Sequence, residues 1–273
     1  HSTTWTCEEF AALYDRHLPG WRNDPAMLRQ AAKISGAELW EAHAAAKGRL
    51  LQVVRERTGR ELETAAVTIG FARRATAYKR ADLVFTDPPP LSRHSAPPRS
   101  WQLLFAGKAH PRDEGGKDLI HRIWTAARGL GQRLSVVYLE DYGMELASLL
   151  VSGVDLWLNT PQPPLEASGT SGMKAAHNGV PSLSTLDGWW PEGCVEGLTG
   201  WSIGSGATDA PPERAVARDA EALYRKLEDE VLPLYFGDRE GCTNVMRLVV
   251  ALNASHFNTH RMVQQYVTNA YLA

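Results

Sequence analysis

The chain is poor in cysteine: Cys7, Cys194 and Cys242 are the three in 273 residues, far apart and without a CxxC pair. So sparse and odd a set excludes a disulfide framework and a thiolate zinc site, and it reads as reduced thiols in a cytoplasmic protein. An excess of one charge sign is also missing, because 29 basic residues face 31 acidic ones for a formal net charge of −2. Without a global positive field, a nucleic-acid partner is not expected. No apolar run approaches the roughly 18–20 residues that span a bilayer, so no membrane-spanning helix is expected. The amino end, His1 to Trp5, has neither a signal-peptide pattern nor an initiator methionine, which suggests a processed chain or a piece of a longer one. There is no internal repeat and no low-complexity tract.

What is present is core material: 44% of residues are hydrophobic and 22% charged, enough for one large domain or two small ones. The first sixty residues read as helical. Glu38 to Arg57 is rich in helix formers, with Ser35 and Glu38 as a capping box, and Pro25 to Ala32 makes a shorter helix capped by Asp24. From Ala66 the pattern changes to short β-rich runs: Val67–Phe71, Trp101–Ala106, Leu134–Leu139, Asp155–Leu158 and Pro181–Leu186. Largely apolar runs of this length suit strands covered on both faces. Helical segments alternate with them at Lys79–Val84, Asp113–Arg128, Met144–Leu150 and Ser171–Asn178, and helices return at Glu213–Glu230, Cys242–Asn253 and Thr259–Leu272. The expectation is an α/β fold, a doubly wound, Rossmann-like parallel sheet over residues 66–273 behind a helical lead-in over 1–65. The five prolines between Asp87 and Ser100 mark a surface crossing within one sheet rather than a domain linker.

In open α/β sheets, ligands sit beyond the carboxyl ends of the strands, which directs the search for chemistry. Arg73, Arg74, Tyr78, Lys79 and Arg80 follow the first strand; Glu140, Asp141 and Tyr142 follow the third. The fourth leads into a long turn, Asn159 to Gly169, that carries Glu166, and a helix then starts at Thr170-Ser171-Gly172-Met173-Lys174. Cations and a helix start on one edge favour an anion. The cations exceed what one phosphate needs, so either two phosphates or a phosphate and a carboxylate suit them. Lys174, in a positive neighbourhood that favours its neutral form, is a candidate for a Schiff base with an aldehyde cofactor. The plainer alternative is that Arg73-Arg74 and Lys79-Arg80 are solvated helix faces and Lys174 a surface lysine.

Other patterns carry less. Ser168-Gly169-Thr170-Ser171-Gly172 is not a GxSxG elbow, because the second glycine directly follows Ser171. Gly107-Lys108-Ala109 lacks the remainder of a P-loop. His256 and His260 form an i,i+4 pair without a carboxylate ligand nearby, so no metal is expected. Trp189-Trp190 is either a sugar-stacking platform or core.

Glu166-Ala-Ser-Gly-Thr-Ser-Gly-Met-Lys174, continuing through Asn178-Gly179 to Thr185-Leu-Asp-Gly188, resembles the cofactor-lysine signature of the α-glucan (glycogen/starch) phosphorylases. Ile69-Gly-Phe-Ala-Arg-Arg-Ala-Thr-Ala-Tyr-Lys-Arg80 is similar to their phosphate-binding segment. Phe105-Ala-Gly-Lys-Ala-His-Pro111, Glu140-Asp-Tyr142 and Phe257-Asn-Thr-His-Arg-Met-Val263 follow in the same order. The spellings Thr-Ser-Gly-Met-Lys and Asp-Gly-Trp-Trp look most like the shorter bacterial branch.

The resemblance implies the carboxyl-terminal half of a GT-B-type glycosyltransferase that carries pyridoxal 5′-phosphate and cleaves α-1,4-glucan with inorganic phosphate to glucose 1-phosphate. Carried over, Lys174 holds the cofactor as a Schiff base, and the backbone of Thr170 and Ser171, with Arg73 and Tyr142, positions its phosphate. Arg74 and Lys79 bind the substrate phosphate, while Glu166 and the backbone of Ala167, Ser168 and Gly169 hold sugar hydroxyls. Catalysis then falls to Arg74, Lys79 and Lys174 with the cofactor phosphate as proton donor and acceptor. The resemblance also implies an amino-terminal domain supplied in cis or in trans, and a homodimer is one option for the assembly. An exposed apolar face near residues 1–60 would favour a lost amino-terminal domain, and a well-covered face an independent module. Gly143 and His177 depart from the family pattern, standing where a charged and an apolar residue are usual. Two other functions share these motifs: a non-catalytic module binding pyridoxal phosphate or a sugar phosphate, and a shortened glycosyltransferase with another acceptor.

Overall fold

The structure is a computed structural model and describes residues 1–86, 101–130, 134–206 and 211–272. Six strands form one parallel sheet: β1 (Val67–Ala72), β2 (Trp101–Ala106), β3 (Ser135–Leu139), β4 (Leu156–Asn159), β5 (Ser182–Thr185) and β6 (Gly200–Ile203), in the order β3-β2-β1-β4-β5-β6. Every pairing is parallel, with Val67 beside Trp101 and Ile69 beside Leu156 in the registers of β1. This is the doubly wound, Rossmann-like order, and its direction reverses between β1 and β4.

The helices, in chain order, are α1 (Ser2–Trp5), α2 (Glu8–His17), α3 (Gly36–Thr58), α4 (Glu114–Leu130), α5 (Met144–Gly153), α6 (Thr170–Ala176), α7 (Trp190–Gly193), α8 (Pro212–Lys226), α9 (Leu232–Gly237), α10 (Arg239–Leu248) and α11 (Thr259–Tyr266). Strand residues feed two cores alternately, as a period of two requires. Val67, Ile69, Phe71, Leu103, Phe105, Leu156 and Leu158 pack on one face with Leu119 and Ile123 of α4. Leu104, Ala106, Val137, Leu139 and Trp157 pack on the other with Leu50 and Val54 of α3, Leu146 and Leu150 of α5 and Ala175 of α6. A sheet buried on both faces accounts for the nearly continuous apolar strands.

The caps follow the sequence. Ser35 Oγ accepts from the Glu38 N–H and donates to the Glu38 carboxylate, and Asp24 caps the next helical segment back, Pro25–Lys33, which is 3₁₀ rather than α. Three expectations are corrected. The helix expected over Lys79–Val84 is two 3₁₀ turns, Ala77–Lys79 and Leu83–Phe85, because the Arg80 guanidinium is drawn inward to the carbonyls of Thr160 and Pro161 and to Asp219, and Arg80 itself takes φ 47°. A sixth strand, β6, continues the sheet past Leu186. The long helices after Gly206 loosen into π-helical turns at Leu227–Val231, Val249–Ala254 and Val267–Tyr271. The proline-rich crossing lies outside the described residues.

The amino-terminal helices join the same cores, with Phe10, Leu13, Tyr14 and Trp21 fully buried. Large exposed apolar side chains do not gather there, so the face near residues 1–60 is the well-covered one that favours an independent module over a lost domain. Among the described residues they concentrate at the carboxyl end, on Met262, Val263, Tyr266, Tyr271 and Leu272, and on Met144 and Leu165 near the strand ends. No helix of the described residues is long and apolar enough to cross a membrane.

Candidate functional site

The site forms where β1 and β4 part company. Arg73 leaves the carboxyl end of β1 and is fixed there by its own backbone: its N–H donates to Ala106 O, while Gly107 on β2's continuation lies so close that a Cβ would meet Arg73 O at 2.1 Å. Lys79 and Arg80 follow on the 3₁₀ turns, and the three anchors of Arg80 hold that segment against the end of β4. Thr160 adds to them, its hydroxyl donating to the carbonyls of Lys79 and Arg80 at 3.0 Å each.

Glu166 stands on the β4–α6 loop and faces these cations. Arg73 Nη2 donates to Glu166 Oε2 at 2.7 Å, and Lys79 Nζ donates to the same oxygen. All three side chains are close to buried, at 7%, 6% and 10% exposure for Arg73, Lys79 and Glu166. Burial pushes the Glu166 carboxyl up, but the hydrogen bond from Lys79 and the charge of Arg73 outweigh it and hold it below the ordinary carboxylate range. Burial lowers Arg73 from its ordinary value against the pull of Glu166, and a guanidinium stays charged all the same. Arg73 Nη1 is buried with no hydrogen-bond partner among the described residues. A buried charged N–H without an acceptor is costly, so this donor can take an acceptor from outside the chain, water included.

Two residues beyond the loop, Asp187 and Trp189, set it. Asp187, just past β5, accepts the Glu166 N–H at 2.8 Å through Oδ2 and the Gly188 N–H at 2.9 Å through Oδ1. Trp189 donates its backbone N–H to Ser168 O at 2.8 Å, and its indole packs under the helix start, where a Cβ on Gly172 would meet it at 2.9 Å. Trp189 and Trp190 are therefore core rather than a sugar platform, at 4% and 0% exposure.

Gly169, at φ 85°, turns the chain into α6, a conformation that only glycine adopts without strain. Ala167, Ser168 and Thr170 are exposed at this turn, and the Ser171 hydroxyl accepts from the Trp157 indole at 3.1 Å. Lys174 is half-buried; its Nζ sits 3.9 Å from the centre of the Trp5 ring and makes no ion pair among the described residues. Burial lowers its pKa. Trp5 is a partner no local pattern announces, since it comes from the other end of the chain. Below Lys174, His177 is fully buried: Nδ1 donates to Met173 O, so Nε2 accepts from the Ser2 hydroxyl, each at 2.8 Å.

The structure thus brings Arg73, Lys79 and Glu166 into one cluster, with Tyr142 alongside, its hydroxyl 3.5 Å from Ala72 O; burial raises the Tyr142 pKa, and the nearby charge of Arg73 offsets only part of that rise. Arg74 is not part of it; it is exposed and makes no ion pair among the described residues. Lys79 and Arg80, readable from sequence as a solvated face, are buried at 5% and 8% exposure. His256 lies edge-on to Phe257 with ring centroids 4.9 Å apart, and no cluster of three potential metal ligands forms among the described residues.

The carbohydrate phosphorylase family model matches residues 8–192, which contain Arg73, Lys79, Tyr142, Glu166 and Lys174. The chain belongs to the carbohydrate phosphorylase family. It is 40% identical to the maltodextrin phosphorylase of Thermococcus litoralis and 38% identical to the glycogen phosphorylase of Aquifex aeolicus, each match covering 99% of this chain. A third relative, an uncharacterized protein of Methanocaldococcus jannaschii, is 32% identical over 97% of the chain. The chain spans 34%, 42% and 49% of the length of these three relatives. Phosphorylases are GT-B glycosyltransferases, and the six-stranded parallel sheet is the Rossmann-like unit expected of that fold.

Proposed function

We propose that this chain is the cofactor- and phosphate-binding part of a cytoplasmic α-1,4-glucan phosphorylase, working with a further domain in cis or in trans to release glucose 1-phosphate. The observation that carries this reading is the buried Arg73–Lys79–Glu166 cluster at the switch point of the sheet, with a desolvated lysine on the helix that follows. Such a cluster is more than a structural ion pair needs, because one carboxylate is set against two cations and one guanidinium nitrogen is left unmatched.

Pyridoxal 5′-phosphate fits the residues present. Lys174 is free of ion pairs among the described residues, and desolvation raises the share of its neutral, nucleophilic amine, which suits it to hold the cofactor's aldehyde carbon. Arg73, Tyr142 and the backbone N–H groups of Thr170 and Ser171 would hold the cofactor's phosphate. When bound, the group would supply a phosphate that exchanges a proton with the substrate phosphate. Arg74 and Lys79 would bind that substrate phosphate: two phosphates side by side repel, and cations between them make the pairing tolerable. Held there, the substrate's negative charge would stabilise the positive charge that develops on the sugar carbon as the glycosidic bond breaks. Glu166 and the backbone of Ala167, Ser168 and Gly169 would accept and donate to sugar hydroxyls. A pair of catalytic carboxylates of the glycosidase kind is not needed.

Borohydride reduction of the chain after incubation with pyridoxal phosphate, followed by peptide mass mapping across Ser168 to Asn178, tests this. A pyridoxyl adduct on Lys174 is expected. An unmodified Lys174 in the presence of excess cofactor would overturn the catalytic reading.

A further inference from the structure

β3 is an outer strand of the sheet. It pairs with β2 alone, and its other edge finds no main-chain partner among the described residues. A bare edge is a template for another strand, and proteins commonly guard it with proline, charge or a bulge. Ser135–Leu139 has none of these: it reads Ser-Val-Val-Tyr-Leu, in unbroken register with β2. Beside it a groove of about 660 Å³ opens between the end of α3 and α4. Trp124 of α4 stands on the groove wall at 39% exposure, its ring centre 6.4 Å from that of Tyr138.

Charge divides along this groove, which Arg57, Arg60, Arg128, Glu140 and Asp141 all line. The arginines lie at the amino end of β3. Arg57 and Arg60 are held there because the Glu63 N–H donates to Gln102 Oε1 at 3.1 Å, and Gln102 lies beside Ser135, where β3 starts. Arg128 is in the last turn of α4, which leads into β3, while Glu140 and Asp141 directly follow Leu139 at the other end. The three arginines and Glu140 are exposed and make no ion pair among the described residues; Asp141 reaches only Lys108, at 3.7 Å.

We infer that two copies of this chain pair through β3, antiparallel about a two-fold axis, and join their sheets into one. An antiparallel two-fold sets the amino end of each β3 beside the carboxyl end of the other. The arginines of each copy then meet Glu140 and Asp141 of the second, and the same match is made twice. A parallel arrangement would set like charges together at both ends, which disfavours it. The groove supplies both signs of the pairing itself, so a second copy satisfies it where a strand of one charge sign would satisfy half. Trp124 of each copy falls on the same side of the joint sheet and flanks the axis, an apolar anchor between two charged ends. The Arg73–Lys79–Glu166 cluster stands at β1 and β4, with β2 between β1 and this edge. The pairing surface is therefore separate from it and does not rest on the phosphorylase reading.

Analytical ultracentrifugation of the chain over a range of concentrations tests this, with two charge-reversed variants beside the natural protein. One carries Arg57→Glu, Arg60→Glu and Arg128→Glu together; the other carries Glu140→Lys. All four side chains are exposed, so neither variant disturbs the core. The natural chain is expected to dimerise, more weakly as salt is added. Each variant alone sets like charges face to face at both ends, and its dimer is expected to dissociate at least about tenfold more readily. An equimolar mixture of the two variants restores opposite charges at both ends and is expected to recover a dimer containing one copy of each. A natural chain that stays monomeric up to about 1 mM would overturn the inference, the arginines then guarding the edge instead of pairing it. A dimer that neither variant weakens would place the contact elsewhere, as on the exposed Met262 and Tyr266 at the carboxyl end, and would overturn it too. So would weakened variants that fail to rescue each other when mixed.

Discussion

The sheet carries a buried ionic cluster at each end, and the two are built differently. At the amino end, Asp155 sits just before β4. Its Oδ1 accepts from His43 Nε2 at 2.7 Å, and its Oδ2 accepts from Lys47 Nζ at 2.6 Å and from the Thr68 N–H at 2.7 Å. Lys47 completes its donors on Ala66 O and Tyr235 Oη. The loose end is His43 Nδ1, which in the neutral ring is a bare acceptor, since Nε2 must carry the proton that faces the carboxylate. At the carboxyl end, Glu166 is outnumbered by Arg73 and Lys79, and the orphan is a charged donor. One cluster is closed and joins α3, β1 and β4. The other has donors to spare, on the edge where this class of sheet binds ligands. Burial alone does not separate a clasp from a binding site; the balance of donors and acceptors does.

This contrast breaks if the two ends respond alike to losing a partner. Asp155→Asn leaves Lys47 and His43 buried beside a neutral amide, so urea denaturation should show a loss of about 3–5 kcal/mol. An effect below about 1 kcal/mol would mean that the amino-end cluster is not a clasp. His177 gives a pH test of the packing under Lys174. Burial depresses its pKa from 6.5 to about 4, so it folds as the neutral ring. Stability from this group is therefore complete above pH 6.5 and falls as pH drops towards 4, by about 3 kcal/mol in all. His177→Gln should flatten that part of the stability–pH curve, and an unchanged slope would assign it to other groups. Lys79→Met should cost the least stability, about 1 kcal/mol, because Arg73 still pairs with Glu166 and the charges become balanced. Its phosphate affinity should nevertheless fall about tenfold or more. A loss of stability as large as that of Asp155→Asn would make the carboxyl-end cluster structural too.

The first five strands were legible because a sheet covered on both faces needs nearly continuous apolar runs, and Trp101–Ala106 is such a run from end to end. β6 was not, since Gly200–Ile203 is four residues long and mixes a glycine and a serine with its apolar pair. The helix expected after Lys79 failed because propensity is a weak prior against three inward anchors on Arg80. Searching the strand ends found Arg73, Lys79, Glu166 and the Lys174 helix, since topology dictates where those residues must meet. It did not find which cation Glu166 would face, nor that Arg74 points outward, because neighbours in sequence take opposite sides of the turn. Trp5 left no signal, and the Thr185-Leu-Asp-Gly188 motif did not reveal the role of Asp187, as each acts through contacts made far along the chain. His177, odd as a neighbour of the cofactor lysine by family pattern, proves to be packed and hydrogen-bonded to Met173 and Ser2.

The central claim, that the carboxyl-end cluster is an open phosphate site and the amino-end cluster a closed clasp, is tested most directly by a crystal structure of the chain with pyridoxal phosphate and inorganic phosphate. Inorganic phosphate is expected within hydrogen-bond reach of Lys79, and the cofactor's phosphate within reach of Arg73, with the Asp155 cluster unchanged. Both phosphates bound elsewhere, with neither Arg73 nor Lys79 in contact with them, would contradict it.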